Sequence, residues 1–175
     1  MKDNFISILI TNYNKSKFLK KSLKSLLDQK YKNFEIILFD DCSEDNSIKI
    51  IEKFKKVKLI KNKKKKYVSS PLNQINGLME AFKHSRGKII CLMDADDYFK
   101  KNKLFEVNKY FELNNKKKIL YNLPIVTSRN NFETAQIKKN RSWPKIFPTS
   151  CISMKRDSLK LFLKNIEFKK YENLE

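Results

Sequence analysis

Along roughly the first hundred residues, short runs of β-branched and aromatic side chains alternate with segments whose apolar positions recur every three or four residues. That alternation predicts βαβ units and so a sheet of parallel strands. Phe5–Ile10 reads as the first strand. Leu19, Leu23, Leu26 and Leu27 share one face of the helix after it, capped by Asn14 or Ser16. Past a loop at Tyr31-Lys32-Asn33, Glu35–Phe39 makes a second strand, a second helix carries Ile48, Ile51 and Phe54, and Val57–Ile60 makes a third strand. The Lys61–Lys66 run is expected to be an exposed loop. Pro71 suits the first turn of a third helix with an apolar stripe of Leu72, Ile75, Met79 and Phe82, and Arg86-Gly87 then turns the chain into a fourth strand, Ile89–Met93. An amphipathic helix follows through Leu104, Val107 and Phe111. Beyond Lys116 the order is less regular, with strands near Ile119–Tyr121, Ile125–Ser128 and Cys151–Met154 and a helix over Ser158–Lys164. No repeat or linker interrupts the pattern, and one domain over residues 1–175 is expected.

The fourth strand runs straight into Asp94-Ala95-Asp96-Asp97. Clustered carboxylates repel one another unless a positive charge sits among them, and strand carboxyl ends are where α/β sheets hold ligands. A hard divalent cation, Mg²⁺ or Mn²⁺, is the natural occupant, held by one or two carboxylates and by substrate phosphate. The plain alternative is a solvated turn or a helix cap.

Charge changes the picture less than its size suggests. The net charge of +20 admits a nucleic-acid or anionic-membrane partner, but the excess is nearly all lysine; Arg86, Arg129, Arg141 and Arg156 are the arginines. Base-reading surfaces favour the bidentate arginine fork, so the lysines read as solvated surface and nucleic acid is not the expected partner. Cys42, Cys91 and Cys151 lie far apart without metal-ligand spacing, which fits a reducing cytoplasm. The stretch Phe5–Ile10 is too brief for a signal-peptide core, and no segment approaches the ~20 apolar residues of a membrane span. The expected location is cytoplasmic, with room for peripheral contact at the inner face of the membrane through the lysines.

Gly77 and Gly87 are the only glycines, so no glycine-rich phosphate loop can be written. His84, at a helix end, reads as a solvated or capping residue rather than a base. What remains is a set of strand ends: Thr11-Asn12-Tyr13-Asn14, Asp40-Asp41-Cys42-Ser43 and Asp94-Ala95-Asp96-Asp97. Right-handed βαβ crossovers bring all of these to one sheet edge. There Tyr13 can stack on a flat base, an acid near Asp41 can accept its ring N–H, and Asp94 and Asp96 can reach ribose and metal. Taken singly, Tyr13 is an ordinary loop aromatic and Asp40-Asp41 a cap.

These residues resemble the family 2 glycosyltransferases. Ser7–Asn14 is similar to that family's opening strand and loop, Phe34–Ser47, which contains Phe39–Ser47, to its "VDDGSxDxS" segment, and Gly87–Asp97 to its "GxxIxxLDxDD" segment with the DXD motif. Cys42 stands where the second segment has Gly, which costs little if the position avoids positive φ. The likeness spans about residues 5–112; Trp143-Pro144, Pro148–Cys151 and Met154–Arg156 resemble the acceptor-side wall more loosely.

The resemblance implies a three-layer α/β GT-A (Rossmann-like) fold, a mainly parallel sheet flanked by helices, with residues 1–112 binding the nucleotide sugar and 113–175 beginning an acceptor-side part. It implies Thr11 and Tyr13 in the base pocket, Asp41 on the base, Asp94 on the ribose side and Asp96 on a Mn²⁺ or Mg²⁺ ion. The implied activity is inverting transfer of a sugar from a nucleoside-diphosphate sugar, with UDP expected, to a glycan or lipid-linked acceptor in cell-surface polysaccharide synthesis. The family's catalytic carboxylate is expected beyond the last residues, with Glu172 and Glu175 as weak candidates and the chain read as cut short. A sugar-nucleotide pyrophosphorylase, disfavoured by the missing glycine-rich loop, and a lysine-rich nucleic-acid-binding module are the rival readings.

Overall fold

The computed structural model describes residues 3–127, 132–134 and 148–166. In chain order these form β1 (Ile6–Asn12), α1 (Ser16–Leu27), β2 (Phe34–Asp40), α2 (Ser47–Ile51), β3 (Val57–Lys61), α3 (Ser70–Lys83), β4 (Ile89–Asp94), α4 (Lys103–Leu113), β5 (Ile119–Tyr121), β6 (Ile125–Thr127), β7 (Phe132–Thr134), β8 (Ile152–Lys155) and α5 (Arg156–Lys164). The main sheet has the order β3-β2-β1-β4-β8-β5, while β6 and β7 pair separately. The strands β3, β2, β1 and β4 are mutually parallel; β8 runs antiparallel to both β4 and β5.

Alternate side chains of the central strands go to opposite faces, as the pleat demands. Ile8, Ile10, Ile36, Leu38, Cys91 and Met93 meet Leu19, Leu23 and Leu26 of α1 and Leu104, Val107 and Phe111 of α4. Leu9, Ile37, Phe39, Ile90 and Leu92 meet Ala81 of α3 and Leu159 of α5 on the other face. Helix, sheet, helix is the three-layer α/β arrangement expected.

Several boundaries differ from the sequence reading. The strands β1, β2 and β4 run on to Asn12, Asp40 and Asp94, because parallel neighbours keep pairing there: Thr11 with Phe39 and Asp94, Asn12 with Asp40. Helix α2 stops at Ile51, and Phe54 lies in the turn after it, its N–H on the Ile51 carbonyl at 2.8 Å. At the other end α5 begins at Arg156 rather than Ser158, and Cys151 belongs to a 3₁₀ turn instead of the strand. Ser128 lies outside the described residues.

Helix α3 turns an unexpected face inward. Leu72 is buried as predicted, but its buried companions are Asn73, Asn76, Gly77 and Ala81. Small residues allow the helix to lie close on the sheet: a Cβ on Gly77 would sit 2.8 Å from the Phe39 ring and 3.0 Å from the Thr11 methyl. Ile75 instead lines an apolar hollow with Leu161 and Phe162. Gly87 is needed for a similar reason, since a Cβ there would meet the Ser7 amide nitrogen at 2.4 Å.

Capping is also non-local. Neither Asn14 nor Ser16 caps α1 by its side chain. The Ser16 amide donates instead to Asp45 Oδ2 at 2.9 Å, and the Ser47 amide to Asp45 Oδ1 at 2.8 Å, so one carboxylate serves the starts of two helices. Gln29, fully buried, does the same for α4 by accepting the Leu104 N–H at 3.1 Å.

Two expectations follow. Partial burial raises the Asp45 carboxyl, but the hydrogen bonds from Ser47 and Ser16 outweigh it and bring the group down from 3.8 to about 2. A depressed carboxyl stabilises the fold above its unfolded value and loses that contribution as pH falls through the folded one. Asp45→Ala should therefore lower stability by about 1 kcal/mol at neutral pH and flatten the stability–pH curve between roughly pH 4 and pH 2, read by denaturant unfolding at several pH values. Cys42, in turn, does not avoid positive φ: it sits at φ 60. A side chain in that region costs about 1–2 kcal/mol, partly offset by the extra entropy glycine loses on folding. Cys42→Gly should raise stability by up to about 1 kcal/mol, and Cys42→Ala should not; a loss in both would show that the thiol's contact with the Asn62 carbonyl matters more than the strain.

Candidate functional site

The strand order reverses beside β1: β2 and β3 lie to one side of it and β4 to the other. A reversal leaves a crevice at the carboxyl ends, because the flanking loops diverge to opposite faces. The crevice here is a cleft of about 360 Å³, and Thr11, Tyr13, Asp41, Asp94 and Asp96 all line it. A hollow of about 1430 Å³ between α3, β5 and α5 is larger, but it is apolar and away from the clustered acids. His84, at the end of α3, lies outside the cleft.

One wall is made by two loops laced together. Asp40 is buried and structural: its Oδ2 accepts from Asn12 Nδ2 at 2.7 Å and its Oδ1 from the Ser43 amide at 2.9 Å. Asn14, at φ 51, accepts the Glu44 and Asp45 amides on its Oδ1. Asp41 therefore comes next along the chain from a pinned residue, and its own Oδ1 accepts from Asn62 Nδ2 at 2.8 Å. Buried Asn12 leaves Oδ1 without a partner among the described residues. Tyr13 is 41% exposed, and the Lys65 ammonium lies 3.4 Å from its ring centroid.

The opposite wall is acidic. Asp94 receives Gln74 Nε2 at 2.7 Å on Oδ1, and its amide donates to Ser150 Oγ at 2.9 Å. Burial first, then Asp97 and Asp96, push its carboxyl up to about 6. Asp96 is more open, and its Oδ2 accepts from Lys15 Nζ at 2.6 Å. Acids held this close fit a hard cation, which would relieve the strain of like charge. Among the described residues no group of three or more His, Cys, Asp or Glu side chains is placed to hold a metal alone. A cation here would draw on Asp96, with Asp94 beside it, and complete its shell with phosphate and water oxygens.

The sequence reading missed Lys15, Lys65, Asn73 and Gln74, all cleft residues. The signal was Asn73, Gln74 and Asn76 on a helix read only for its apolar stripe. Asn73 clamps the preceding loop, its amide group bridging the Tyr67 N–H and C=O at 3.0 and 2.7 Å. Glu172, Glu175 and Trp143-Pro144 lie outside the described residues. No helix among the described residues is long and apolar enough to cross a membrane.

Comparison with known proteins bears on the family and the fold. Over 97 residues the chain is 34% identical to the putative glycosyltransferase EpsE of Bacillus subtilis, covering 53% of this chain and 33% of that protein. It is 33% identical over 106 residues to the Escherichia coli UDP-Glc:alpha-D-GlcNAc-diphosphoundecaprenol beta-1,3-glucosyltransferase WfgD, covering 59% and 40%. The chain thus spans well under half the length of these relatives. Among solved structures, S. aureus TarS 1-349 in complex with UDP-GlcNAc superposes with a TM-score of 0.70 at 20% identity, over 90% of this chain and 47% of that one. Mannosyltransferase PcManGT from Pyrobaculum calidifontis, in complex with GDP-Man and Mn²⁺, gives 0.72 at 16% identity, over 93% and 47%. These likenesses show the GT-A fold. The model of the family described as glycosyl transferase family 2 matches residues 7–165, and the chain belongs to that family.

Proposed function

We propose that the protein is an inverting glycosyltransferase that takes a sugar from a nucleoside-diphosphate sugar, with UDP as the expected nucleotide, to a glycan or lipid-linked acceptor in cell-surface polysaccharide synthesis. The observation that carries this reading is the meeting of two unlike walls in one cleft. Tyr13 and Asp41 suit a base, whereas Asp94 and Asp96 suit a cation-bound diphosphate. The printed name of WfgD supports a lipid-diphosphate acceptor by analogy.

In this reading Thr11 and Tyr13 line the base pocket, the Tyr13 ring stacking on the base. Asp41, held by Asn62, accepts a ring N–H. Asp94, oriented by Gln74, faces the ribose side. Asp96 would hold Mn²⁺ or Mg²⁺, which would neutralise charge that develops on the departing diphosphate. A carboxylate must deprotonate the acceptor hydroxyl as it attacks the anomeric carbon from the face opposite the diphosphate; it is expected beyond the last residues, with Glu172 and Glu175 as the lesser alternatives.

Asp96→Asn keeps the side chain's volume and removes a metal ligand. The fold should survive, with an unchanged circular-dichroism melt, while calorimetric UDP affinity in Mn²⁺ falls to the level the wild type shows in EDTA. Wild-type affinity that EDTA does not change would count against the metal. At the other wall, Tyr13→Ala should cost about 1–3 kcal/mol of UDP binding, and Asp41→Ala should blunt discrimination among UDP, GDP and dTDP more than it weakens diphosphate binding. Equal losses for UDP and plain pyrophosphate would show that neither residue reads the base.

A further inference from the structure

Lys15 is the residue on which the two halves of the cleft's electrostatics meet. It precedes the first residue of α1, and its carbonyl accepts the Phe18 and Leu19 amides at 2.9 and 3.2 Å, which fixes its backbone. On either side the chain is tied to the Ser43–Asp45 loop: the Asn14 amide donates to Ser43 Oγ and the Ser16 amide to Asp45 Oδ2, both at 2.9 Å. From that anchored position the ammonium reaches Asp96 at 2.6 Å, across 81 residues of sequence. The other cleft lysine, Lys65, lies over Tyr13 at the opposite end.

We infer that Lys15 and the divalent cation are alternative partners of Asp96, and that Lys15, displaced by the cation, supplies a second positive charge for the diphosphate. This rests on the assignment of Asp96 as a metal ligand proposed above. Two cations cannot share one exposed carboxylate oxygen at contact distance without repelling each other. The Lys15 and Asp96 side chains are 43% and 37% exposed, so their pairing is worth only a small factor and is readily exchanged for a doubly charged ion. The released ammonium remains on the wall of the same cleft. There it meets an anion-binding role that no glycine-rich loop can fill in this chain.

The test uses Lys15→Gln, Lys15→Arg and Asp96→Asn in the full chain, with three titrations: Mn²⁺ alone by water-proton relaxation, UDP in EDTA, and UDP at saturating Mn²⁺. Lys15→Gln should bind Mn²⁺ alone about 2- to 5-fold more tightly and UDP in EDTA about 2- to 5-fold more weakly, the range an exposed ion pair commands. UDP affinity at saturating Mn²⁺ should also fall, and Lys15→Arg should restore all three values. Opposite signs for the two ligands distinguish this from local misfolding, which would weaken both. Unchanged or weaker Mn²⁺ binding in Lys15→Gln, with Mn²⁺ binding still lost in Asp96→Asn, would overturn the role of Lys15 and leave the metal assignment standing. Mn²⁺ binding that survives Asp96→Asn would overturn both.

Discussion

The constraint on which the cleft depends is the parallel register that holds β1 between β2 and β4. Thr11 is paired with Phe39 on one side and Asp94 on the other, and Asn12 with Asp40. A slip of one residue in either ladder would turn Thr11 or Asp94 to the opposite face. Register is enforced by those cores, since Ile8 and Ile10 go to one layer and Leu9 to the other. It is locked at the edge by the Asn12–Asp40 hydrogen bond and by the Asp41 amide on the Asn12 carbonyl at 2.8 Å. Position at the cleft is thus a consequence of how the apolar run just upstream divides between the two cores.

Once those ends are fixed, their polar groups divide by what surrounds them. Asp40, with hydrogen bonds on both oxygens, is a brace between two loops. Asp41 shares its backbone but faces the cleft with one oxygen engaged by Asn62. Asp94 is partly buried among like charges, whereas Asp96, two residues on, reaches water and Lys15. Asp40 and Asp41 do different work because successive side chains of an extended chain face opposite ways, and Asp96 differs from Asp94 because the chain leaves the strand and turns between them.

The parallel strands were legible because buried central strands read as unbroken apolar runs, and their acidic tips because carboxylates rarely end such runs without a reason. The five expected cleft residues came from the same logic. What escaped was decided by partners remote in sequence. No local pattern says that Asp45 receives the first amide of α1, that Gln29 receives Leu104, or that Asn73 clamps Tyr67. Helix α3 was misread because its stripe was judged by hydrophobicity alone. Its contact with the sheet is set instead by the size of Gly77 and Ala81, which lets polar Asn73 and Gln74 reach the cleft.

Glycine is scarce here, and at both copies a Cβ would collide with a neighbouring element. The chain even tolerates Cys42 at φ 60, in a loop where glycine would be the unstrained choice. A nest of backbone amides for phosphate is built from residues in paired αR and αL conformations. Without a glycine-rich loop, the diphosphate proposed to bind at this edge would meet mainly side chains, and the acids there would repel it unless cations intervene. The cleft accordingly combines Asp94 and Asp96, which can recruit a mobile cation, with Lys15 and Lys65, which are covalently resident ones. On the function proposed above, the shortage of glycine that excludes a glycine-rich phosphate loop shifts anion binding toward the pairing of carboxylate with lysine among the described cleft residues.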